Sequence, residues 1–389
     1  MAYKILLYTT TLWPSAARYA GGFVTAGCEA FALAPKAAPV MASRYVTKLF
    51  RYNPLAPLKS LRSAIAGAAP DLIIACDDRA VATLLRLYHS EQPGSEIARL
   101  LARSMGTPQN YARVLSRSGA LNELHAVGVR VPTILPVRSE AELNSSLSTI
   151  GLPAVLKSDG SWGGEGVIIV QTIAEAVAAW RKLSRPVSCL RSAVRTVRRR
   201  DAHFLAEAWR PSRHAVSIQR FVPGTPAASA FAAFEGKVVG AIYYDVLDAQ
   251  GGLGPPNVIR RVDSEEMETA TKVVAQRFGL SGLHGLDFIR DASGGLQLIE
   301  INARATQGGT LPFGAGHDLP SALISAFSNR PVRTRRAIEE DVVVFFPREW
   351  QRDPESTYLK MGHHDVPWDD PAILLSALTA NPRWVRRAA

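Results

Sequence analysis

Two alternating stretches in the last third of the chain constrain it more than any other feature. Gly285-Leu286-Asp287-Phe288-Ile289 and Leu298-Ile299-Glu300-Ile301-Asn302-Ala303-Arg304 flank the segment Arg290-Asp291-Ala292-Ser293-Gly294-Gly295. Asp-Ala-Ser-Gly-Gly is turn chemistry, so the flanks read as the two strands of a hairpin. Side chains alternate faces along a strand. That predicts one face carrying Leu296, Leu298, Glu300, Asn302 and Arg304, with Ile299 and Ile301 turned into a core. Asp287 then faces Glu300 across the hairpin. Two carboxylates and an amide oxygen suit a hard cation such as Mg²⁺, which keeps several waters and often takes phosphate oxygens. From these residues alone, a solvated polar face on an edge hairpin is the plainer alternative.

The rest of the chain supplies a setting. Its 389 residues are enough for roughly two or three compact units. A hydrophobic content of 47% against 20% charged residues points to a globular protein and away from disorder. No apolar run is long enough to cross a bilayer, and Met1–Tyr8 lacks the basic flank and cleavage site of a secretory leader, so it reads as a first strand. Cys28, Cys76 and Cys189 fit neither a zinc pattern nor a disulfide framework, which points to a reducing cytoplasm. The net charge of +11 suits a polyanionic ligand such as a nucleotide, or a nucleic acid or membrane surface. Much of it is concentrated in Arg181, Lys182, Arg185, Arg191, Arg195 and Arg198–Arg200. That segment has no nucleic-acid-binding motif and no interleaved aromatics, so 181–213 reads as a solvated, partly helical basic insertion.

Along the chain, Tyr3–Tyr8, Cys28–Ala34 and Leu72–Cys76 are apolar strands separated by helical stretches at Ala16–Ala26 and Ala80–His89. Continuous apolar strands in a βαβ rhythm imply a small parallel sheet. No G-x-G-x-x-G follows the first strand, so a dinucleotide fold of the usual kind is unsupported. Asp77, Asp78 and Arg79 lie just past a strand's carboxyl end, where ligands bind, although Asp77 or Asp78 also serves as a helix N-cap. Residues 111–128 read as one helix ending at Gly128. Ala154–Lys157 and Val167–Val170 are strands around the glycine-rich loop 158–166, whose backbone can approach phosphates; a plain flexible hairpin is the alternative. Ala215–Phe221 is a strand closed by Val222-Pro223-Gly224-Thr225-Pro226, with further strands at 229–235, 238–246 and 257–262 and a helix at Glu265–Phe278.

In this order the pieces resemble the ATP-grasp superfamily over roughly residues 1–325. The elements are a small α/β domain, a lysine strand with a glycine-rich lid, a hinge strand ending in Val-Pro-Gly, and an acidic hairpin. The resemblance implies an α/β protein: a small parallel N-terminal domain (1–110), then an ATP-grasp fold (111–330) whose two α+β subdomains grip ATP. The lid subdomain would span about 150–222, and 331–389 would be a C-terminal extension packed on the body. It also implies that ATP is held by Lys157, Gly163, Gly164, Gly166, the hinge Gln219-Arg220-Phe221-Val222, and apolar walls such as Val155 and Leu298. Asp287, Glu300 and Asn302 would hold two Mg²⁺ ions, for which Mn²⁺ could substitute. Arg304 would take the arginine position beside the transferred phosphate, acting with Lys157 in catalysis. The sequence departs from the family at two places. Arg117 stands where many members have lysine, and Pro226 stands where many have an acidic residue for ribose.

The implied activity is ATP-dependent joining of a carboxylate to an amine through an acyl phosphate, with small-molecule substrates, no nucleic-acid partner, and room for a homo-oligomer. Two other readings stay open: a carboxylase or kinase variant of the fold, and a non-catalytic nucleotide-binding regulator or scaffold. Arg260, Arg261 and His284 are candidates for holding substrate, and Thr306–Thr310 for an anion-binding turn. His363-His364-Asp365 looks superficially like a metal cluster but reads as caps and surface bonds. The residues after Phe346 read as an extended tail.

Overall fold

The computed structural model describes residues 2–158, 166–185, 215–252 and 254–379. The lid loop 159–165, most of the basic insertion (186–213) and the last ten residues lie outside them. Three sheets carry the fold. The first joins β1 (Lys4–Tyr8), β2 (Glu29–Ala34), β3 (Val46–Arg51) and β4 (Leu72–Ala75) in the order β3-β2-β1-β4, all parallel. Its middle strands are buried on both faces, which is why they read as unbroken apolar runs. The edge strand β3 is mostly exposed, and its Val-Thr-Lys-Leu-Phe-Arg carries no such run.

The second sheet is antiparallel. It holds β5 (Ile134–Val137), β6 (Ala154–Ser158), β7 (Val167–Val170) and β8 (Val216–Arg220) in the order β5-β8-β6-β7. One face packs on the helices Glu140–Ile150 and Ile173–Ser184 through Ala154, Leu156, Val170, Val216 and Ile218. Strand alternation turns the other face outward. That face carries the row Ile169, Val155, Gln219 and, one step along, the row Val167, Lys157, Ser217.

The third sheet is the largest. β9 (Gly224–Phe234), β10 (Lys237–Ala249), β11 (Pro256–Arg261), β12 (Gly282–Asp291), β13 (Leu296–Asn302), β14 (Val342–Val344) and β15 (His363–His364) run β13-β12-β9-β10-β11-β14-β15. Its two faces feed two apolar clusters, and both clusters also take in strands of the first sheet. The helix Glu265–Phe278 starts at a Ser264 cap and ends on Gly279 in the left-handed conformation.

Several expectations need correction. The helix over 111–128 is two, Tyr111–Leu115 and Arg117–Ala126, broken where Ser116 turns extended. That break starts a helix at Arg117. The residues after Phe346 are not an extended tail: β15 joins β14 in parallel, the helical turn Tyr358–Met361 packs on β14, Arg348–Arg352 on β11, and Pro371–Thr379 on the turn Pro39–Ala42 of the N-terminal region. His363-His364-Asp365 sits in that joint. The His364 ring stands edge-on to Trp350 with Nε2 on the Leu359 carbonyl, and Asp365 pairs with Arg18. Among the described residues, no cluster of three or more His, Cys, Asp or Glu side chains could hold a metal. No helix among them is long and apolar enough to cross a membrane.

Candidate functional site

The outward face of the second sheet lies over the β12–β13 hairpin, and the cleft between them reaches the carboxyl ends of β1 and β4. The hairpin forms as its turn chemistry predicts, with Asp287 directly opposite Glu300. Ala227 and Ala228 of β9, paired with Phe288 and Asp287, keep the floor low. The register slips between Asp287 and Phe288, which pair with Glu300 and Leu298, so Ile299 is an extra, unpaired residue. Such a bulge puts two neighbouring side chains on one side of the strand. Ile299 joins Glu300 and Asn302 in lining the cleft, and Leu298 goes to the core with Leu296 and Phe288. Ile299, and not Leu298, therefore lines the cleft; strict alternation misassigned both. The bulge also frees the Ile299 carbonyl, which accepts the Lys157 ammonium at 3.2 Å.

Charge pairing is dense here. Arg117 Nη2 donates to Glu300 Oε1 at 2.6 Å, and Nη1 donates to the Ser158 carbonyl at 3.1 Å. Asn302 Nδ2 donates to Asp287 Oδ2 at 2.9 Å. Arg304 Nη2 donates to Asn302 Oδ1 at 2.9 Å, and its Nε donates to Asp78 Oδ2 at 3.3 Å. Lys157 is 4% exposed, and burial pulls its pKa down to about 8 against the attraction of Glu300. Burial and the neighbouring Glu300 raise the Asp287 pKa to about 6. Burial acts the same way on Glu300, but Arg117 and Lys157 outweigh it and hold Glu300 low. For Arg304, burial is outweighed by Asp78 and Asp287, which keep the guanidinium charged.

At one end of the cleft, Val155, Val167, Ile169 and Ile299 make an apolar slot beside the hinge residues Gln219, Arg220, Phe221 and Val222. Gln219 is 2% exposed, and its Nε2 finds no partner among the described residues. Pro226 lines the same end. At the other end stand Thr11, Trp13, Cys76, Asp77 and Asp78, with Tyr244, Thr306 and Gln307 opposite. Asp77 caps its helix through the Ala80 N–H and also gathers the Thr9 hydroxyl and the Thr10 N–H and hydroxyl, which fixes the Thr9–Thr11 turn. The N-cap reading thus holds for Asp77, while Asp78 reaches the cleft through Arg304. The Ala305 N–H on the Ala75 carbonyl ties the hairpin's exit to the end of β4.

Three expected substrate residues are elsewhere. Arg260 is exposed on β11, and Arg261 pairs with Asp341 and covers Phe313, so neither lines the cleft. His284 is buried against Phe231, with Nε2 on the Ser281 carbonyl and Nδ1 unpartnered among the described residues; burial drives its pKa down to about 4. It is a core residue. Gly163 and Gly164 fall in 159–165, outside the described residues, whereas Gly166 closes the lid hairpin through its carbonyl on the Ser158 N–H. Trp13, Tyr244, Val167 and Ile169 were missed. For Trp13 the signal was present: it follows β1 at the carboxyl edge of a parallel sheet.

Residues 119–308 match the family model described as an ATP-grasp domain. No curated protein matches the chain. Among solved structures, N5-carboxyaminoimidazole synthetase from Staphylococcus aureus complexed with ADP is similar at a TM-score of 0.60 and 12% identity, covering 91% of this chain and 88% of that one. The Aspergillus clavatus synthase in complex with ADP and 5-aminoimidazole ribonucleotide gives 0.60 at 11% identity, covering 85% and 78%. The biotin carboxylase domain of Hydrogenobacter thermophilus 2-oxoglutarate carboxylase, with MgADP, ADP and bicarbonate, gives 0.59 at 15% identity, covering 86% and 72%. A lysine-bearing sheet laid over an acidic hairpin, the family match across that region and the shared fold lead to one assignment: residues 119–308 are similar to an ATP-grasp domain, and the chain shares its fold with ATP-grasp enzymes.

Proposed function

We infer that the cleft binds ATP with Mg²⁺ and that the protein activates a carboxylate as an acyl phosphate and transfers the acyl group to an amine. The observation that carries this reading is the meeting of Asp287, Glu300 and Asn302 with Lys157, Arg117 and Arg304 in one cleft. The donor set fits the metal. It offers hard oxygens only, and the rise of the Asp287 pKa under burial and the Glu300 charge marks a place where added positive charge is favourable. Mg²⁺ held there supplies neutralisation of phosphate oxygens as charge builds on the leaving side. The remaining work falls to the chain. Val155, Ile169 and Ile299 sandwich the base, and the free Gln219 Nε2 donates to one of its ring nitrogens. Lys157 and Arg117 present fixed positive charge to the phosphates, and a phosphate beside Lys157 keeps its ammonium protonated. Pro226 meets the ribose with a ring in place of a carboxylate.

Arg304 stands where the nucleotide end joins the far end of the cleft, and it draws the reacting carboxylate toward the γ-phosphate against like-charge repulsion. A carboxylate oxygen forms the new O–P bond as the β,γ-bridging bond breaks, and ADP keeps that electron pair. The amine nitrogen then forms the C–N bond, phosphate leaves with the C–O pair, and the nitrogen loses a proton. A second reading, with bicarbonate as the carboxylate, is favoured by the bicarbonate complex among the structural neighbours. The test is ADP release on adding pairs of small acids and amines, with bicarbonate as one acid and Glu300→Gln as the blank. Substrate-dependent ADP formation that Glu300→Gln abolishes supports the reading. ADP formation that survives Glu300→Gln, or none with any pair, defeats it.

A further inference from the structure

We propose that Arg348, contributed by the C-terminal extension, receives a carboxylate of the substrate that the reaction does not consume, so that the natural substrate is a small molecule with a second acidic group.

Arg348 opens the helix Arg348–Arg352, directly behind the far wall of the cleft. Its guanidinium lies 5.4 Å from the centre of the Trp13 ring and 6.0 Å from that of Phe345, and Nη2 donates to Gln307 Oε1. Trp13 and Gln307 both line the cleft. The Nη1 nitrogen is sealed from solvent and has no hydrogen-bond partner among the described residues. Two arginines that line the cleft are paired, Arg304 with Asp78 and Arg117 with Glu300, and a third, Arg220 at the hinge end, is exposed to solvent. Arg348 has no carboxylate within ion-pair distance among the described residues, only a neutral amide oxygen. Burial lowers its pKa to about 10, and the Asp365 charge offsets this only in part.

An unpaired, desolvated cation is costly, and a fold keeps one where an anion will arrive. The cation–π contact with Trp13 helps hold the guanidinium in place, and its planar fork suits two-point reception of a carboxylate. Gln307 then serves as a placeholder. Its amide oxygen is the weaker acceptor, and a carboxylate entering beside Trp13 displaces it and takes both Nη groups. Gln307 follows Arg304 by three residues, a span of at most ~10 Å. The short span keeps the two arginine sites on one small substrate, and a short dicarboxylate is the simplest probe of it.

The proposal rests on the ligase reading for the direction in which the substrate lies, and its test separates the two. Glutarate and pentanoate share a five-carbon chain and differ in the second carboxylate. Each is titrated calorimetrically into the full chain, with and without Mg²⁺ and a non-hydrolysable ATP analogue. We expect glutarate to bind about tenfold or more tighter than pentanoate, and Arg348→Met to erase that difference while Arg348→Lys keeps part of it. Gln307→Glu guards against a folding defect in the methionine variant. It supplies the carboxylate internally, so it should erase the glutarate preference without lowering the unfolding temperature. Equal binding of the two acids by the wild type, or an unchanged preference in Arg348→Met, overturns the proposal. Failure of the ATP analogue to bind would instead count against the nucleotide reading, and the glutarate comparison without analogue would still decide the role of Arg348.

Discussion

Replacing Arg117 by methionine isolates the electrostatic logic of the cleft. Arg117 and Glu300 form an ion pair whose side chains are 9% and 26% exposed. Removing one partner leaves Glu300 beside Asp287 in a poorly solvated place, and uncompensated pairs of this kind cost ~3 kcal/mol or somewhat more. Lys157 offsets part of this, because the repulsion of Arg117 contributes to its lowered pKa. With an unfolding entropy of ~2.1 cal/mol/K per residue over 389 residues, a loss of ~3 kcal/mol lowers the unfolding temperature by about 4 °C. The assay is a thermal melt at pH 7.5 with EDTA or with Mg²⁺. In EDTA the variant should melt about 4 °C below the wild type. In Mg²⁺ the gap should narrow, since a divalent cation replaces the missing charge on the carboxylates. A melting point within about 1 °C of the wild type in EDTA would refute the reasoning. So would a gap that Mg²⁺ leaves unchanged, because the carboxylates would then not be the groups that Arg117 neutralises.

Two further outcomes follow from the packing. The bulge assigns Leu298 to the core and Ile299 to the cleft, so Leu298→Ala should lose about 2–5 kcal/mol in denaturant unfolding. Ile299→Ala should instead weaken binding of an ATP analogue with a much smaller stability change; the reverse pattern would place the bulge wrongly. His284 is buried with its pKa depressed to about 4, below the ~6.5 of an unfolded chain. Its contribution is full above pH 6.5 and is lost as pH falls toward 4, because only the unfolded chain takes the proton there. The total is on the order of 3 kcal/mol, and denaturation of His284→Leu across that range should show a flatter slope than the wild type. An equal slope would mean that His284 titrates normally.

The sequence was most informative where a local pattern and a chemical role coincide. The hairpin's turn, the Asp287–Glu300 pairing and the strand carrying Lys157 follow from alternation and turn chemistry, and the structure has them in place, with that strand running one residue on to Ser158. The small parallel sheet was legible from its buried strands, but not its edge strand Val46–Arg51, whose exposed faces carry no apolar run. Alternation failed at Ile299 because a bulge is set by pairing with a partner strand, which a single strand's sequence does not encode. Arg260 and Arg261 looked like substrate ligands because arginines near an acidic hairpin fit that chemistry. Their strand lies three strands from β12 across the sheet, and Arg261 is spent on Asp341. Arg348 and Trp13 are far apart in sequence, and only the packing of the C-terminal extension brings one against the other.

Metal-dependent nucleotide binding tests the central claim most directly. A non-hydrolysable ATP analogue is titrated calorimetrically into the wild type and Glu300→Gln, each in Mg²⁺ and in EDTA. The account predicts that the wild type binds markedly tighter in Mg²⁺, that Glu300→Gln loses at least about tenfold of that affinity, and that the two proteins bind alike in EDTA. Equal wild-type affinity in Mg²⁺ and EDTA, or full Mg²⁺-dependent affinity in Glu300→Gln, would contradict it.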